Sequence, residues 1–108
     1  MKRGDVVVVA VSGDYGKTRP AVVIQSDLFA EHPSVTVLPF TSELRDAPLF
    51  RLRVAPAEGN GLRVPSDVMV DKAVTVARGR VGQTIGCLDA DTRRELDRLL
   101  AVFLGIAG

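Results

Sequence analysis

Cysteine, histidine and aromatic residues are scarce in this sequence. Its 108 residues include one cysteine, one histidine, one tyrosine and no tryptophan. A single cysteine cannot form an intramolecular disulfide, which excludes a disulfide-stapled secreted domain and agrees with a reducing compartment. Because no histidine lies near Cys87 in sequence, we expect its side chain to be a small buried hydrophobe rather than a nucleophile.

Long apolar runs and a strong net charge are also absent. The longest apolar run, residues 6–11, is far too short to span a bilayer, and residues 1–5 lack the cleavage site of a secretory leader. We therefore expect a cytoplasmic protein with no membrane association. Fourteen basic and thirteen acidic residues give a net charge of +1, so attraction to nucleic acid requires a local site. With no repeat or linker, residues 1–108 should form one domain.

β-branched residues dominate the first three quarters of the chain and predict a mainly β domain. The predicted strands cover residues 5–11, 19–25, 35–38, 50–54, 68–70 and 73–77. The first is apolar almost throughout, which is typical of a strand buried on both faces, and it should pair with the second. Pro39 should end the third strand because proline cannot donate to a ladder. Asn60 and Gly61 give the strongest turn signal.

Only the C-terminal part of the chain has helical periodicity. Asp89 or Asp91 can cap this helix, and Gly105 ends it. The apolar side chains of one helix face are Leu96, Leu99, Leu100, Phe103 and Leu104. Ser26 can cap a shorter helical turn over residues 27–31. Together these elements predict a barrel-like β domain closed by a C-terminal α-helix.

A cationic segment opens the second strand. Residues 16–20 read Gly-Lys-Thr-Arg-Pro, and Pro20 biases Arg19 toward an extended backbone. A guanidinium on this stiff support suits a phosphate or carboxylate, although an ordinary surface arginine at a strand start fits the same pattern. Lys17 adds a second positive charge. The loop of residues 12–18 forms a candidate wall of the site, in which Tyr15 can stack on a base or simply pack.

A second polar cluster follows the third strand. Thr41 and Ser42 can supply hydroxyl donors to a phosphate oxygen, or they can merely cap a turn. Neither arginine nor threonine is a suitable general base. His32 is distant from both clusters in sequence, so we expect a surface or capping role for it. Asp14 is the carboxylate nearest to the cationic segment, and the general base stays unassigned.

Short segments in a fixed order resemble the MazF/PemK toxin family. They read Arg-Gly-Asp-Val-Val at residues 3–7, Gly-Lys-Thr-Arg-Pro at 16–20, Pro-Phe-Thr-Ser at 39–42, Asn-Gly-Leu at 60–62 with Ser66 following, Asp-Lys at 71–72 and Ile-Gly at 85–86. Each segment is weak by itself. Their order and spacing over residues 2–105 make the resemblance specific.

The resemblance implies the toxin of a type II toxin–antitoxin system with a small SH3-like β-barrel. Members are homodimers that cleave single-stranded RNA, mRNA included, at short sequences without a metal or other cofactor. A cognate antitoxin neutralises them with a disordered C-terminal segment. The family's functional arginine matches Arg19 and its functional threonine matches Thr41, so the resemblance assigns catalysis to these two residues.

The same match extends the set of candidate RNA contacts. Ser66, Asp71 and Lys72 fall in a segment that contacts RNA or antitoxin in relatives, where a glutamine often stands at the position of Lys72. That departure leaves both the role of Lys72 and the base preference unassigned. The RNA-binding set is Asp14, Tyr15, Lys17, Ser42, Ser66, Asp71 and Lys72.

Two other functions fit the same fold. A related toxin branch shares the barrel but poisons DNA gyrase, and it relies on a tryptophan near its C-terminus that this chain lacks. A non-catalytic SH3-like binding module would bind a peptide or nucleic acid without turnover. An RNA cleavage assay separates all three functions.

Overall fold

The computed structural model describes residues 1–10 and 17–107, and this part of the chain contains seven strands and one α-helix. The strands are β1 Asp5–Ala10, β2 Thr18–Val23, β3 Ser34–Thr41, β4 Arg51–Val54, β5 Ser66–Met69, β6 Val74–Ala77 and β7 Val81–Cys87, and the helix is α1 Ala90–Phe103. Short 3-10 turns lie at Asp27–Phe29, Val70–Lys72 and Arg78–Arg80.

The strands form one antiparallel sheet organised around β3. Its hydrogen-bonded order is β4-β5-β3-β2-β1-β7, and β6 pairs with the first half of β3. β3 changes neighbour along its length, because Val37 is paired with β6 and Phe40 is paired with β5. Within the described ranges no ladder joins β6 to β7, so the sheet is not closed at that edge. The predicted mainly β fold with a C-terminal helix is confirmed.

Alternating side chains give the sheet an apolar surface on both faces. One face carries Val6 and Val22, which pack in a core that includes the helix. The helix contributes Leu96, Leu99 and Leu100 to this core. The other face carries Val7 and Val9, which pack in a second core with Val76 of β6. As predicted, β1 is buried on both faces, and its buried valines are at most 1% exposed.

Turn and cap signals behave as predicted around the helix and before β5. Asp89 caps α1 by accepting a hydrogen bond from the Thr92 N–H at 2.7 Å, and Gly105 adopts the positive φ that commonly ends a helix. Asn60 is buried, and its side-chain oxygen accepts the N–H of Leu62 at 3.0 Å. This bond fixes the turn that the sequence predicts.

One predicted strand boundary is wrong, and one strand is missed. β3 continues past Pro39 to Thr41. Pro39 lies between the last residue paired with β6 and the first paired with β5, a position where a missing N–H donor is tolerated. β7 was not predicted, since it contains Gly82 and Gly86 and its residues are at most partly buried. Pairing with β1, rather than intrinsic propensity, determines this strand.

Cys87 and the end of α1 are more exposed than predicted. Cys87 is an exposed free thiol at the end of the edge strand β7, so it is not a buried hydrophobe. Phe103 and Leu104 are 49% and 55% exposed although both belong to the predicted packing face. The helix contributes no residue beyond Leu100 to the core, and its last turn is therefore left at the surface.

Candidate active site

Arg19 lies on a strand that is paired on both sides. β2 runs between β1 and β3, and Arg19 is the cross-strand partner of Val9. Pro20 follows it, is partly buried and is paired with Val8. Arg19 itself is exposed. The sheet therefore fixes the backbone of Arg19 and leaves the residue at the surface.

Thr41 lies on the same face of the sheet as Arg19. Ala21 and Pro39 are the last paired residues of β2 and β3 in this direction, and Arg19 and Thr41 lie two positions beyond them. Side chains two positions apart on a strand share a face. The topology thus places the two predicted catalytic residues on one face of neighbouring strands, each two residues past the end of the ladder that joins these strands.

The Thr41 hydroxyl caps the turn that follows β3. Its Oγ1 accepts a hydrogen bond from the N–H of Glu43 at 3.1 Å. This bond occupies a lone pair and leaves the hydroxyl proton for donation, so capping the turn and donating to a phosphate are compatible. Ser42, next in the chain, is exposed.

A groove of about 510 Å³ lies beside Arg19. Its walls include Arg19, Arg63, Ser66 and Gln83. Two guanidinium groups and an amide at one groove supply the donors that bind phosphate and sugar oxygens. The structure therefore brings Arg19 and Ser66 to a common groove, whereas Thr41 is not one of its lining residues.

Ser66 is nearly buried, with 5% of its surface exposed. Its Oγ donates to the carbonyl oxygen of Val64 at 3.0 Å, and the hydroxyl proton is therefore used within the chain. Only the lone pairs of Ser66 are left to contact a ligand in the groove.

The other predicted RNA contacts are dispersed. Asp71 and Lys72 lie in the Val70–Lys72 turn, and neither lines the groove beside Arg19. The Lys72 Nζ and Asp71 Oδ2 are 3.8 Å apart, and the lysine side chain is 64% exposed. Lys17 is exposed immediately before β2. Asp14 and Tyr15 lie outside the described residues.

Sequence reasoning missed a cluster of charged residues next to Thr41. Asp67 is fully buried on β5 and is the direct cross-strand partner of Thr41. Arg53 donates to Asp67 Oδ1 at 2.6 Å, and Arg51 donates to Oδ2 at 3.3 Å. The alternation of apolar and basic residues in β4 predicts a wet basic face. It gives no sign that a carboxylate on β5 pairs with that face.

The Asp67 carboxylate remains ionised despite its burial. Loss of water raises its pKa, but hydrogen bonds from Arg53, from the Arg45 N–H and from Arg51, together with the charge of Arg53, outweigh this effect and lower the pKa below its usual value. A carboxylate with a lowered pKa and three donors is a poor proton acceptor at neutral pH. Asp67 is therefore not a suitable general base.

His32 has the turn role that the sequence predicts. It is exposed, and its Nδ1 accepts a hydrogen bond from the Ser34 N–H at 3.1 Å. The preceding turn is capped by Ser26, whose Oγ accepts the N–H of Leu28 at 3.2 Å. The imidazole thus supports the chain reversal before β3.

Residues 1–10 and 17–107 contain no group of three or more histidine, cysteine, aspartate or glutamate side chains that could hold a metal ion. No helix in these ranges is long and apolar enough to cross a membrane.

Known proteins resemble this chain over nearly its whole length. The sequence profile of the PemK-like, MazF-like toxins of type II toxin–antitoxin systems matches residues 2–104. A protein of Mycolicibacterium smegmatis named "Probable endoribonuclease MazF" is 46% identical over 109 residues, and the match covers 100% of both chains.

Solved structures show the same fold. The Mycobacterium tuberculosis toxin MazF-mt6 has a TM-score of 0.82 and 24% identity, over 96% of this chain and 99% of that one. A mycobacterial endoribonuclease in complex with its cognate antitoxin has a TM-score of 0.84 and 19% identity, over 100% of this chain and 98% of that one. At these identities the two structures establish the fold alone.

Proposed function

Because the chain belongs to the family of PemK-like, MazF-like toxins of type II toxin–antitoxin systems, we propose that it is an endoribonuclease that cleaves single-stranded RNA, mRNA included, at short specific sequences. The observation that carries the proposal is the placement of Arg19 and Thr41 on one face of neighbouring strands. The groove beside Arg19 supports it, because a phosphodiester backbone needs basic and polar donors along its path.

The proposed reaction uses the RNA's own 2′-hydroxyl as the nucleophile. The 2′-oxygen loses its proton and bonds to the adjacent phosphorus, and the bond from phosphorus to the 5′-oxygen breaks as that oxygen gains a proton. The products are a 2′,3′-cyclic phosphate and a free 5′-hydroxyl. Negative charge accumulates on the non-bridging oxygens in the transition state, where fixed donors contribute most.

Arg19 and Thr41 are the proposed donors to that charge. A guanidinium presents two parallel N–H groups to two phosphate oxygens and stays charged at any physiological pH. Arg19 therefore binds the scissile phosphate, and the free proton of the Thr41 hydroxyl donates to the same group. Neither role requires a bound metal ion.

The surrounding polar residues are proposed to hold the flanking nucleotides. Ser66 lines the groove with Arg19, and Lys17, Ser42 and Lys72 are exposed. The proposed RNA contacts are Asp14, Tyr15, Lys17, Ser42, Ser66, Asp71 and Lys72.

The proposed assembly is a homodimer neutralised by a cognate antitoxin with a disordered C-terminal segment. Exposed apolar side chains at the end of α1 and beyond it support an interface there. They are Val102, Phe103, Leu104 and Ile106. Residues 1–108 act as a single toxin domain, and the proposed site of action is the cytoplasm, where its RNA substrates are.

A cleavage assay tests the function directly. Purified protein is incubated with a sequence-diverse pool of single-stranded RNA in the presence of EDTA, and the cut ends are mapped. We expect cuts at one short sequence, each leaving a cyclic phosphate and a 5′-hydroxyl. Intact RNA across the whole pool would contradict the proposal, and binding without cutting would favour a non-catalytic module.

Variants test the two assigned residues. Arg19→Ala should lower the cleavage rate by at least about a hundredfold, the usual cost of removing a transition-state donor. Thr41→Val removes the hydroxyl at nearly constant shape and should have a smaller effect, whereas Thr41→Ser should retain activity. Arg94→Ala on α1, which pairs with Asp91, is the matched arginine control. Normal cleavage by folded Arg19→Ala and Thr41→Val proteins would show that the site lies elsewhere.

A further inference from the structure

A buried carboxylate fastens the segment that follows Thr41. Asp67 Oδ2 accepts the N–H of Arg45 at 2.9 Å. Arg53 and Arg51, the two guanidinium partners of Asp67, also reach this segment: Arg53 donates to the Arg45 carbonyl oxygen at 3.5 Å, and Arg51 donates to the Glu43 carbonyl oxygen at 3.3 Å. Backbone groups at both ends of residues 43–45 are therefore tied to one charged cluster.

The same segment holds the Thr41 hydroxyl. Glu43 donates its N–H to Thr41 Oγ1, while its carbonyl oxygen is bound by Arg51. Asp67 is also the direct cross-strand partner of Thr41 where β3 meets β5. The orientation of the hydroxyl is thus connected to Asp67 through the ladder on one side and through residues 43–45 on the other.

Stability is a weak reason for such a cluster. The Asp67 side chain is 1% exposed and that of Arg51 is 10% exposed. The free energy lost by removing the two charges from water offsets much of the free energy gained from their attraction. In the described part of the chain the buried Nε of Arg51 has no hydrogen-bond partner, which adds to the cost. Apolar side chains of similar volume would fill this space as well. What they could not supply is three directed bonds to one loop.

We propose that Asp67, with Arg51 and Arg53, positions the Thr41 hydroxyl for its contact with the scissile phosphate. The inference rests on the proposed RNA cleavage, and it adds three residues that touch no substrate. Asp67 acts by holding residues 43–45 so that Glu43 keeps the Thr41 oxygen in place. A hydroxyl released from this geometry still binds solvent but no longer meets the phosphate in the transition state.

The proposal predicts a specific kinetic signature for Asp67→Asn. The amide keeps a carbonyl oxygen but loses the charge that holds the arginines. We expect kcat to fall between tenfold and a hundredfold, as small displacements of a catalytic group do, and KM to stay within about threefold because Arg19 and the groove are unchanged. The matched control is Asp97→Asn, which removes a carboxylate that pairs with Arg3 at 2.7 Å on another part of the surface.

A double-mutant cycle separates positioning from general destabilisation. If Asp67 acts through Thr41, then Asp67→Asn should cost less than about threefold in a Thr41→Val background. A loss of the same size in both backgrounds would overturn the proposal. Where Asp67→Asn does not fold, Arg53→Gln replaces it, since the Arg53 side chain is 51% exposed and Arg51 still neutralises Asp67.

Hydrogen exchange provides a readout that does not depend on cleavage. The Arg45 amide should exchange at least tenfold faster in Asp67→Asn than in the wild type, and no such change should occur in Asp97→Asn. If the wild-type protein cuts no RNA while Asp67→Asn shows this acceleration, the proposed function is refuted and the loop contact has a structural role only. Unchanged Arg45 exchange in an enzyme that cuts RNA would refute the positioning role alone.

Discussion

Gly61 packs directly against Ile85. A Cβ atom on Gly61 would lie 2.4 Å from the carbonyl oxygen of Ile85, and the φ of Gly61 is +73°. The turn before β5 therefore rests on β7 with no space for a side chain. We expect Gly61→Ala to lower the free energy of unfolding by about 2–4 kcal/mol, through strain at positive φ and overpacking together. Urea unfolding followed by circular dichroism measures the loss.

Gly59→Ala is the matched control for that measurement. Gly59 also has a positive φ, +98°, but a Cβ there would have nothing within 4 Å. Only the backbone strain applies, and the expected loss is about 1–2 kcal/mol. Equal losses in the two variants would contradict the close packing of Gly61 on β7.

The stability contributed by Asp67 should depend on pH. Its pKa is lowered in the folded chain, so the folded state binds this proton less readily than the unfolded state does. The contribution is therefore fully present above the ordinary aspartate pKa of about 4, and it is lost as the pH falls through that value toward the lowered one.

The measurement compares wild type with Asp67→Asn by urea unfolding between pH 7 and pH 3. Removing one partner of a buried ion pair should cost about 3 kcal/mol at pH 7. The difference in unfolding free energy should stay constant down to about pH 5 and shrink below about pH 4. A difference that is unchanged at pH 3, or one that grows as the pH falls, would refute the assignment.

Cys87 should react as an exposed thiol. It ends the edge strand β7 and is exposed in the fold, so a maleimide reagent should label the native protein without prior unfolding. Cys87→Ser should change the free energy of unfolding by less than about 0.5 kcal/mol, as is usual for surface substitutions. Labelling that occurs only in denaturant would show that the Cys87 thiol is buried, as the sequence predicts.

The strands that the sequence predicts correctly are those with strong local signals. β1 and β2 are apolar enough to be recognised without any knowledge of their neighbours, and the Asp89 cap and Gly105 define the helix for the same reason. β7 carries two glycines and exposed polar residues, and it becomes a strand because β1 offers a partner. Such pairing depends on contacts distant in sequence, which periodicity does not report.

The residues of the candidate site also differ in how well the local sequence marks them. Arg19 directly precedes Pro20, and Thr41 follows Pro39 by two residues, so local sequence marks both positions. Asp67 lies within Ser-Asp-Val-Met, where nothing local marks it as buried or paired. Its role becomes visible only when the register places it opposite Thr41 on one side and Arg53 on the other.

The end of α1 should carry part of the proposed homodimer interface. Phe103 is 49% exposed and stands beside other exposed apolar side chains, and aromatic residues contribute strongly to interfaces. We expect Phe103→Glu to raise the dimer dissociation constant at least about tenfold, because a buried charge without a partner opposes association. Sedimentation velocity over a range of protein concentrations measures the constant.

Leu28→Glu is the control for that substitution, since Leu28 is an apolar residue that is 89% exposed on the turn before β3. It adds the same charge at a site outside the end of α1 and should leave the dissociation constant unchanged. A wild-type mass equal to one chain at about micromolar concentration would contradict the dimer itself. A dimer weakened by Leu28→Glu but not by Phe103→Glu would instead move the interface to the turn, because the added charge opposes association only where association buries it.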